Sequence, residues 1–266
     1  MVSLFLKKGT LKMTDIILCG CNGKMGHVVV NSALSGDSCN IVCGVDAFGK
    51  NNYRFPTYKT FSEIKENADV VIDFSNPASL DDLLDYCINK GIPAVICTTG
   101  YSPEQVNKIN EAAKKIPVFY SGNMSLGVNL LIELAKQATK VLGNDFDIEI
   151  VEKHHNQKVD APSGTALMIA DGISEELEKE PQYVYDRHAY RRKRSKDEIG
   201  IHAIRGGTIV GEHDVIFAGH DEVVTISHQS QSKELFSTGA LNAAEFITGK
   251  PAGMYNMSLL LSEKMN

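Results

Sequence analysis

The stretch Asp15-Ile16-Ile17-Leu18-Cys19-Gly20-Cys21-Asn22-Gly23-Lys24-Met25-Gly26 decides the fold. Asp15–Gly20 is a short apolar run ending in glycine, which reads as a buried strand. Met25–Ser35 then reads as a helix, with Val28, Val29, Ala33 and Leu34 available for an apolar face. Between them lies a G-x-x-G-x-x-G turn. Glycines let a backbone turn tightly and approach a pyrophosphate, while a helix N-terminus supplies N–H groups and positive potential. The commoner dinucleotide spacing is G-x-G-x-x-G, so this turn alone also suits a plain strand-to-helix connection. The next strand, Asn40–Val45, runs into Asp46. A carboxylate there can accept hydrogen bonds from an adenine-ribose diol. The glycine turn and Asp46 together point to a dinucleotide site.

Outward from this unit the alternation continues. Val70–Phe74 is a strand, Asn76-Pro77 opens a helix that Gly91 closes, and Pro93–Cys97 is a strand. Ser102-Pro103-Glu104-Gln105 is a capping box, predicting a helix to about Lys115, and Val118–Tyr120 is one more strand. Strands alternating with helices predict a parallel, doubly wound α/β sheet. Such sheets bind ligands beyond the carboxyl ends of their strands. That places Asp73-Phe74-Ser75, Cys97-Thr98-Thr99-Gly100 and Ser121-Gly122-Asn123-Met124 near the same site, although each could be ordinary loop punctuation.

The second half reads differently. Gly127–Leu142 and Ser163–Leu177 are helical, and Phe146–Glu152 is a strand. Three strand signals, Ile199–Arg205, Asp214–Ala218 and Glu222–His228, then follow without intervening helices. This predicts an α+β arrangement with a mixed or antiparallel sheet, followed by a helix over about 233–248. The architecture changes near residue 126.

The chain has 266 residues, 27 Lys+Arg against 33 Asp+Glu, and a formal charge of −6. That balance argues against a nucleic-acid binder working by bulk electrostatics. No apolar run reaches the roughly 18 residues of a membrane span. Residues 1–12 read as an extension, with Met13 a possible native start. The six cysteines, Cys19, Cys21, Cys39, Cys43, Cys87 and Cys97, lack zinc-site spacing and read as reduced core thiols of a cytoplasmic protein. No metal is expected.

The densest chemistry lies in Glu152-Lys153-His154-His155-Asn156-Gln157-Lys158-Val159-Asp160-Ala161-Pro162-Ser163-Gly164-Thr165. Two histidines, a lysine and an aspartate follow a strand, and Ser163-Gly164-Thr165 opens a helix. A helix start with hydroxyls and glycine traps anions or carboxylates. His can donate a proton near neutral pH, and Lys can pair with a carboxylate. A solvated polar loop is the competing interpretation. A metal at His154-His155 fits poorly, because neighbours on an extended segment point to opposite sides.

This segment matches E-x-H-H-x-x-K-x-D-A-P-S-G-T-A over residues 152–166, and on it the chain resembles the dihydrodipicolinate reductase family. The resemblance covers about residues 13–261. It includes the glycine turn, Asp73-Phe74-Ser75, Thr98–Gly100, Asn123 with Ser125-x-Gly127-Val128-Asn129, Arg205–Gly207 and Gly211-Glu212-His213. It implies a Rossmann-like nucleotide domain over 13–126 and 236–266, and an α+β substrate-binding and tetramerisation domain with a mixed sheet over 127–235. The implied reaction is NADH- or NADPH-dependent reduction of a cyclic imine dicarboxylate in lysine and diaminopimelate biosynthesis. Hydride would reach the ring carbon para to nitrogen, and the neighbouring carbon would then be protonated. By motif position His154 is the acid and Lys158 the assisting cation. His155, Lys158, Ser163, Gly164 and Thr165 would hold the substrate. Gly20, Cys21, Asn22, Gly23, Lys24, Met25, Asp46, Cys97, Thr98, Thr99, Ser121, Gly122, Asn123 and Met124 would hold the cofactor. Cys21 stands where the family usually has alanine, and Lys24 where it has arginine; both bear on cofactor affinity.

Asp46 followed by Ala47 predicts that NADH serves at least as well as NADPH, with Lys50 or Arg54 the candidates for a 2′-phosphate. The basic run Arg187, Arg191, Arg192, Lys193, Arg194, Lys196 reads as a solvated loop, and His27, His188, His202, His213, His220 and His228 show no ligand spacing. Two rival readings are a related two-domain amino-acid or semialdehyde dehydrogenase and a non-catalytic dinucleotide-sensing protein. The 152–165 segment speaks against the first, and the pairing of His154 with Lys158 against the second.

Overall fold

The computed structural model describes residues 13–49, 52–188 and 191–265. The expected extension 1–12 and the candidate Lys50 lie outside them. In chain order the elements are β1 (Thr14–Cys19), α1 (Lys24–Ser35), β2 (Cys39–Val45), β3 (Thr57–Tyr58), β4 (Val70–Asp73), α2 (Leu80–Lys90), β5 (Ala94–Ile96), α3 (Pro103–Ala113) and β6 (Pro117–Tyr120). There follow α4 (Leu126–Leu142), β7 (Asp147–His154), α5 (Gly164–Ser174), β8 (Gln182–Val184), β9 (Glu198–Arg205), β10 (Gly211–Ala218), β11 (Val223–Ser230), α6 (Glu234–Ile247), β12 (Gly253–Tyr255) and α7 (Met257–Met265).

Two compact units result. The first takes the chain up to Met124 together with Phe236–Leu260; the second takes Ser125–Leu235 and the chain from Leu261 onward. The latter border falls within α7.

The first unit holds a seven-stranded sheet in the order β12-β6-β5-β4-β1-β2-β3. Every pairing in it is parallel. The run β3-β2-β1-β4-β5-β6 is the strand order of dinucleotide-binding sheets, with its reversal between β1 and β4. The sheet's central strands are buried from Ile16 of β1 onward and throughout β4 and β5, as their continuous apolar runs require. Local chemistry sets the helix ends. Ser102 accepts from the Gln105 N–H while Gln105 reaches back to Ser102, and Gly91 closes α2 at φ +65°.

The second unit holds a five-stranded mixed sheet in the order β11-β10-β7-β9-β8. β7 and β10 alternate buried and half-exposed residues. Ile148, Ile150, Val215 and Phe217 pack with Leu131 and Ala135 of α4 and Ile169 and Ala170 of α5. The opposite face carries Glu149, Val151, Lys153, Ile204, Ile216 and Val223, of which Val223 is 62% exposed.

Of the basic run expected as a solvated loop, Arg191, Arg192, Lys193 and Lys196 are exposed, while Arg187 and Arg194 are half-buried and correct that expectation. Arg187 bonds Glu149 and Glu198, both at 2.7 Å, and Arg192 reaches Glu198 at 3.1 Å. Arg194 pairs with Asp147 and Glu149 at 3.0 Å. Acidic residues on β7 and β9 supply partners that a local reading of the basic run cannot show. Burial opposes ionisation of Glu149, but hydrogen bonds from His202 and Arg194 hold its carboxyl below its ordinary range.

Candidate active site

In the first unit the β1–α1 turn is built for close backbone approach. Gly20 adopts φ +74°, and a Cβ there would run into the Phe74 carbonyl. A Cβ on Gly26 would overlap the carbonyls of Gly20 and Cys21. Gly23 caps α1 without any side-chain hydrogen bond. A backbone cradle at the start of a twelve-residue helix fits a pyrophosphate. Asp46 is 9% exposed, and both its carboxylate oxygens are fixed at 3.1 Å, one by the Asn22 N–H and one by the Phe48 N–H.

The strand-end loops gather around a cavity of about 670 Å³ lined by Gly23, Lys24, Met25, Cys97, Thr98, Thr99, Ser121, Gly122, Asn123 and Met124. Phe74–Pro77 and Phe236 line it too. Asp73 supports one wall: its carboxylate accepts from the Ser75 N–H at 3.1 Å and from the Tyr101 hydroxyl at 3.3 Å. A neighbouring cavity of about 410 Å³ includes Gly20, Gly23, Asp46, Ala47, Phe48 and Lys59. Cys21 and Asn22 do not line either cavity. The Cys21 side chain is fully buried, and Asn22 contributes its N–H to Asp46. Arg54 lines neither cavity; Lys59 does. Burial raises the Cys21 thiol to about 11 and those of Cys39 and Cys43 to about 12, so these remain protonated core groups.

In the second unit the predicted segment gathers around Glu152, which is fully buried on β7. Its Oε2 lies 2.6 Å from His154 Nδ1, and its Oε1 accepts from the Ser163 N–H at 2.9 Å. Arg205 of β9 forks onto both oxygens at 2.7 Å. Burial would raise the Glu152 pKa, but Arg205, His154 and the Ser163 N–H outweigh it and hold the carboxyl low. The anion in turn fixes the His154 ring through Nδ1, leaving Nε2 as its other nitrogen. A Cβ at Gly211 would sit 3.1 Å from that Nε2, so glycine keeps it uncrowded.

Ser163 caps α5: its Oγ accepts from the Ala166 N–H at 3.1 Å. The same Oγ lies 3.3 Å from His213 Nε2. His213 is 3% exposed and its ring meets that of His154 edge-on, with centroids 5.3 Å apart. Burial first, and His154 second, depress its pKa to about 4. His213 is therefore neutral, and its Nε2 shares one hydrogen bond with the Ser163 hydroxyl. Lys158 Nζ is 2.8 Å from Asp160 Oδ1, and His155 is half-buried. A Cβ at Gly164 would meet nothing within 4 Å. The sequence assigned no role to Glu152, Arg205 or His213, although all lie in quoted motifs.

Among the described residues, no group of three or more His, Cys, Asp or Glu is placed to hold a metal ion, and no helix is long and apolar enough to cross a membrane.

Comparison with known proteins covers both units. Residues 14–124 match the family described as Dihydrodipicolinate reductase, N-terminus, and residues 127–261 match Dihydrodipicolinate reductase, C-terminus. A 4-hydroxy-tetrahydrodipicolinate reductase of Clostridium tetani is 51% identical over 94% of this chain and 98% of its own. One from Caldanaerobacter subterraneus is 54% identical over 94% and 99%. A solved structure of a dipicolinate-bound dihydrodipicolinate reductase from Paenisporosarcina sp. TG-14 shares the fold at TM-score 0.78 and 24% identity, covering 92% of this chain and 97% of that one. With both family halves matched in order and relatives above half identity, the chain belongs to the dihydrodipicolinate reductase family and is an NAD(P)H-dependent oxidoreductase.

Proposed function

We propose that the chain reduces a dihydrodipicolinate-type cyclic imine to tetrahydrodipicolinate in lysine and diaminopimelate biosynthesis, with His154 as the proton donor. The observation that carries this reading is the His154–Glu152–Arg205 chain beside the Ser163-capped start of α5. Ionised Glu152 accepts a hydrogen bond from the Nδ1–H of His154, so Nε2 is the nitrogen that gives a proton to carbon. Lys158 assists as a cation. His155, Lys158, Ser163 and the start of α5 at Gly164 and Thr165 hold the two carboxylates, by charge and by N–H groups. The Paenisporosarcina relative with bound dipicolinate, a planar dicarboxylate, supports that substrate class.

The glycine cradle and Asp46 are the residues that would hold the cofactor, together with Lys24, Met25, Cys97–Thr99 and Ser121–Met124. A reduced nicotinamide supplies hydride when bound. Asp46 favours a free ribose diol, so NADH serves at least as well as NADPH. The partly apolar outer face of the second sheet, with Val151, Ile216 and Val223, supports assembly as a homotetramer. Six free thiols suit a reducing cytoplasm.

The test is consumption of NADH and NADPH by the purified chain, with and without freshly made dihydrodipicolinate. His154→Gln should lower kcat by about 10² to 10⁴ while changing substrate affinity much less. A kcat within a few-fold of wild type, about 1 kcal/mol of barrier or less, removes His154 from the acid role.

A further inference from the structure

We propose that Asp160 is a built-in competitor for the substrate's carboxylate, a specificity residue that occupies Lys158 until a dicarboxylate displaces it. The proposal rests on the reading of Lys158 as a substrate-binding cation. Asp160 Oδ1 lies 2.8 Å from Lys158 Nζ, in an ion pair whose carboxylate is 51% exposed and whose lysine is 22% exposed. Lys158 is thus the more enclosed partner, and its carboxylate companion stands at the solvent side. The N–H of Gly164, at the start of α5, also contributes to holding the Asp160 carboxylate in its ionised form. Two donors assigned to the substrate therefore already serve a carboxylate from within the chain.

The backbone around Asp160 is anchored independently of its side chain. Arg205 Nη2 donates to the Asp160 carbonyl at 2.6 Å while gripping Glu152. The Lys158 N–H donates to the His155 carbonyl at 3.1 Å. The side chain can therefore leave Lys158 while the loop keeps its course. A half-exposed pair of this kind is weak, so it can be exchanged for a ligand that makes additional contacts. A substrate with two carboxylates gains a second anchor when it displaces Asp160. A lone inorganic anion replaces one carboxylate with one anion and gains little. Asp160 thereby lowers affinity for every anion at Lys158, and only a ligand held elsewhere as well overcomes it.

The test is Asp160→Asn, which keeps an acceptor for the Gly164 N–H but removes the charge. Binding is measured by calorimetry with two probes, dipicolinate and inorganic phosphate, on the full-length chain. Asp160→Asn should tighten dipicolinate by about two- to fivefold, the range expected for releasing a partly exposed ion pair. Phosphate, weak or silent on wild type, should become a measurable competitor of dipicolinate. In a Lys158→Met background the gain from the Asp160 substitution should shrink to the small part carried by the Gly164 N–H; an undiminished gain would show that Asp160 does not act through Lys158. Unchanged or weaker dipicolinate binding by Asp160→Asn, with the fold intact by circular dichroism, overturns the proposal. If Lys158→Met alone leaves dipicolinate affinity unchanged, the reading of Lys158 fails, and the proposal fails with it.

Discussion

His154 Nδ1 lies 2.6 Å from Oε2 of Glu152, a carboxylate with no exposed surface that is simultaneously forked by Arg205. An imidazole anchored in this way has a fixed ring plane and a fixed division of labour between its nitrogens. Glu152→Gln retains the shape but weakens the grip on Nδ1 and leaves Arg205 without its anion. We expect kcat to fall by at least about tenfold, toward the ~10⁴ lost when a catalytic histidine loses its orienting carboxylate. The equilibrium affinity for dipicolinate should move less than threefold, because Glu152 itself holds no substrate. A matching loss in binding and turnover would mean that Glu152 only maintains the loop.

Lys158→Ala removes a charge from the carboxylate-binding groups and should damage both substrate binding and kcat. A charge-assisted hydrogen bond contributes about 1.5–3 kcal/mol, so a loss of at least about tenfold in kcat/KM is expected. The exposed Asp160 partner cannot substitute for it, being of the wrong sign. Steady-state kinetics that match wild type would exclude Lys158 from the site.

His213 gives the fold a pH dependence of definite sign. Folded, its pKa is depressed from 6.5 to about 4 by burial and by His154; unfolded, it binds a proton below about 6.5. Between those values the unfolded chain holds more protons, so stability rises with pH. Its contribution is fully present above about pH 6.5 and is lost as pH falls toward about 4. Between pH 7.5 and 5 this should amount to about 2 kcal/mol. Urea unfolding of wild type and His213→Gln at both pH values checks it. The variant should show a flatter dependence; identical slopes would show that His213 is not held neutral.

What the sequence reveals here depends on distance along the chain. The β1–turn–α1 unit, Asp46 and the Ser102 capping box are legible because each signal lies within a few residues. The strands Thr57–Tyr58, Gln182–Val184 and Gly253–Tyr255 are too short to show a period; neighbouring strands define them by pairing. His213 carries no local mark either. Antiparallel register sets it opposite Glu152, while parallel register sets Arg205 opposite His154. His154 and Ser163 lie close to Glu152 in sequence, but Arg205, fifty-three residues away, and His213 are brought to the site by sheet register. Arg187 and Arg194 are opaque for a similar reason: their acidic partners Asp147 and Glu149 on β7 lie about forty residues away, and only Glu198 is near in sequence.

Cofactor choice turns on the cavity beside Asp46. Both oxygens of that carboxylate are held by backbone N–H groups, so it cannot swing away from a 2′-phosphate. Asp82 adds a second negative side chain to the same lining, and Lys59 is its one cation among the described residues. The Lys59 stem lies over Gly49, where even a Cβ would come within 2.6 Å of its Cε. This arrangement disfavours a phosphate without excluding it, consistent with NADH working at least as well as NADPH. Ala47 is exposed and lines the cavity, so Ala47→Arg places a guanidinium where it can fork onto a phosphate. The NADPH-to-NADH ratio of kcat/KM should then rise by at least about fivefold, close to 1 kcal/mol. Lys59→Gln should move the ratio the other way, by about two- to fivefold for an exposed charge. Both are measured at one ionic strength, because contacts to an exposed phosphate are screened by salt. A wild-type preference for NADPH of tenfold or more, about 1.4 kcal/mol, would overturn the reading of Asp46. If Lys59→Gln then abolished that preference, Lys59 would be the residue outweighing the carboxylate.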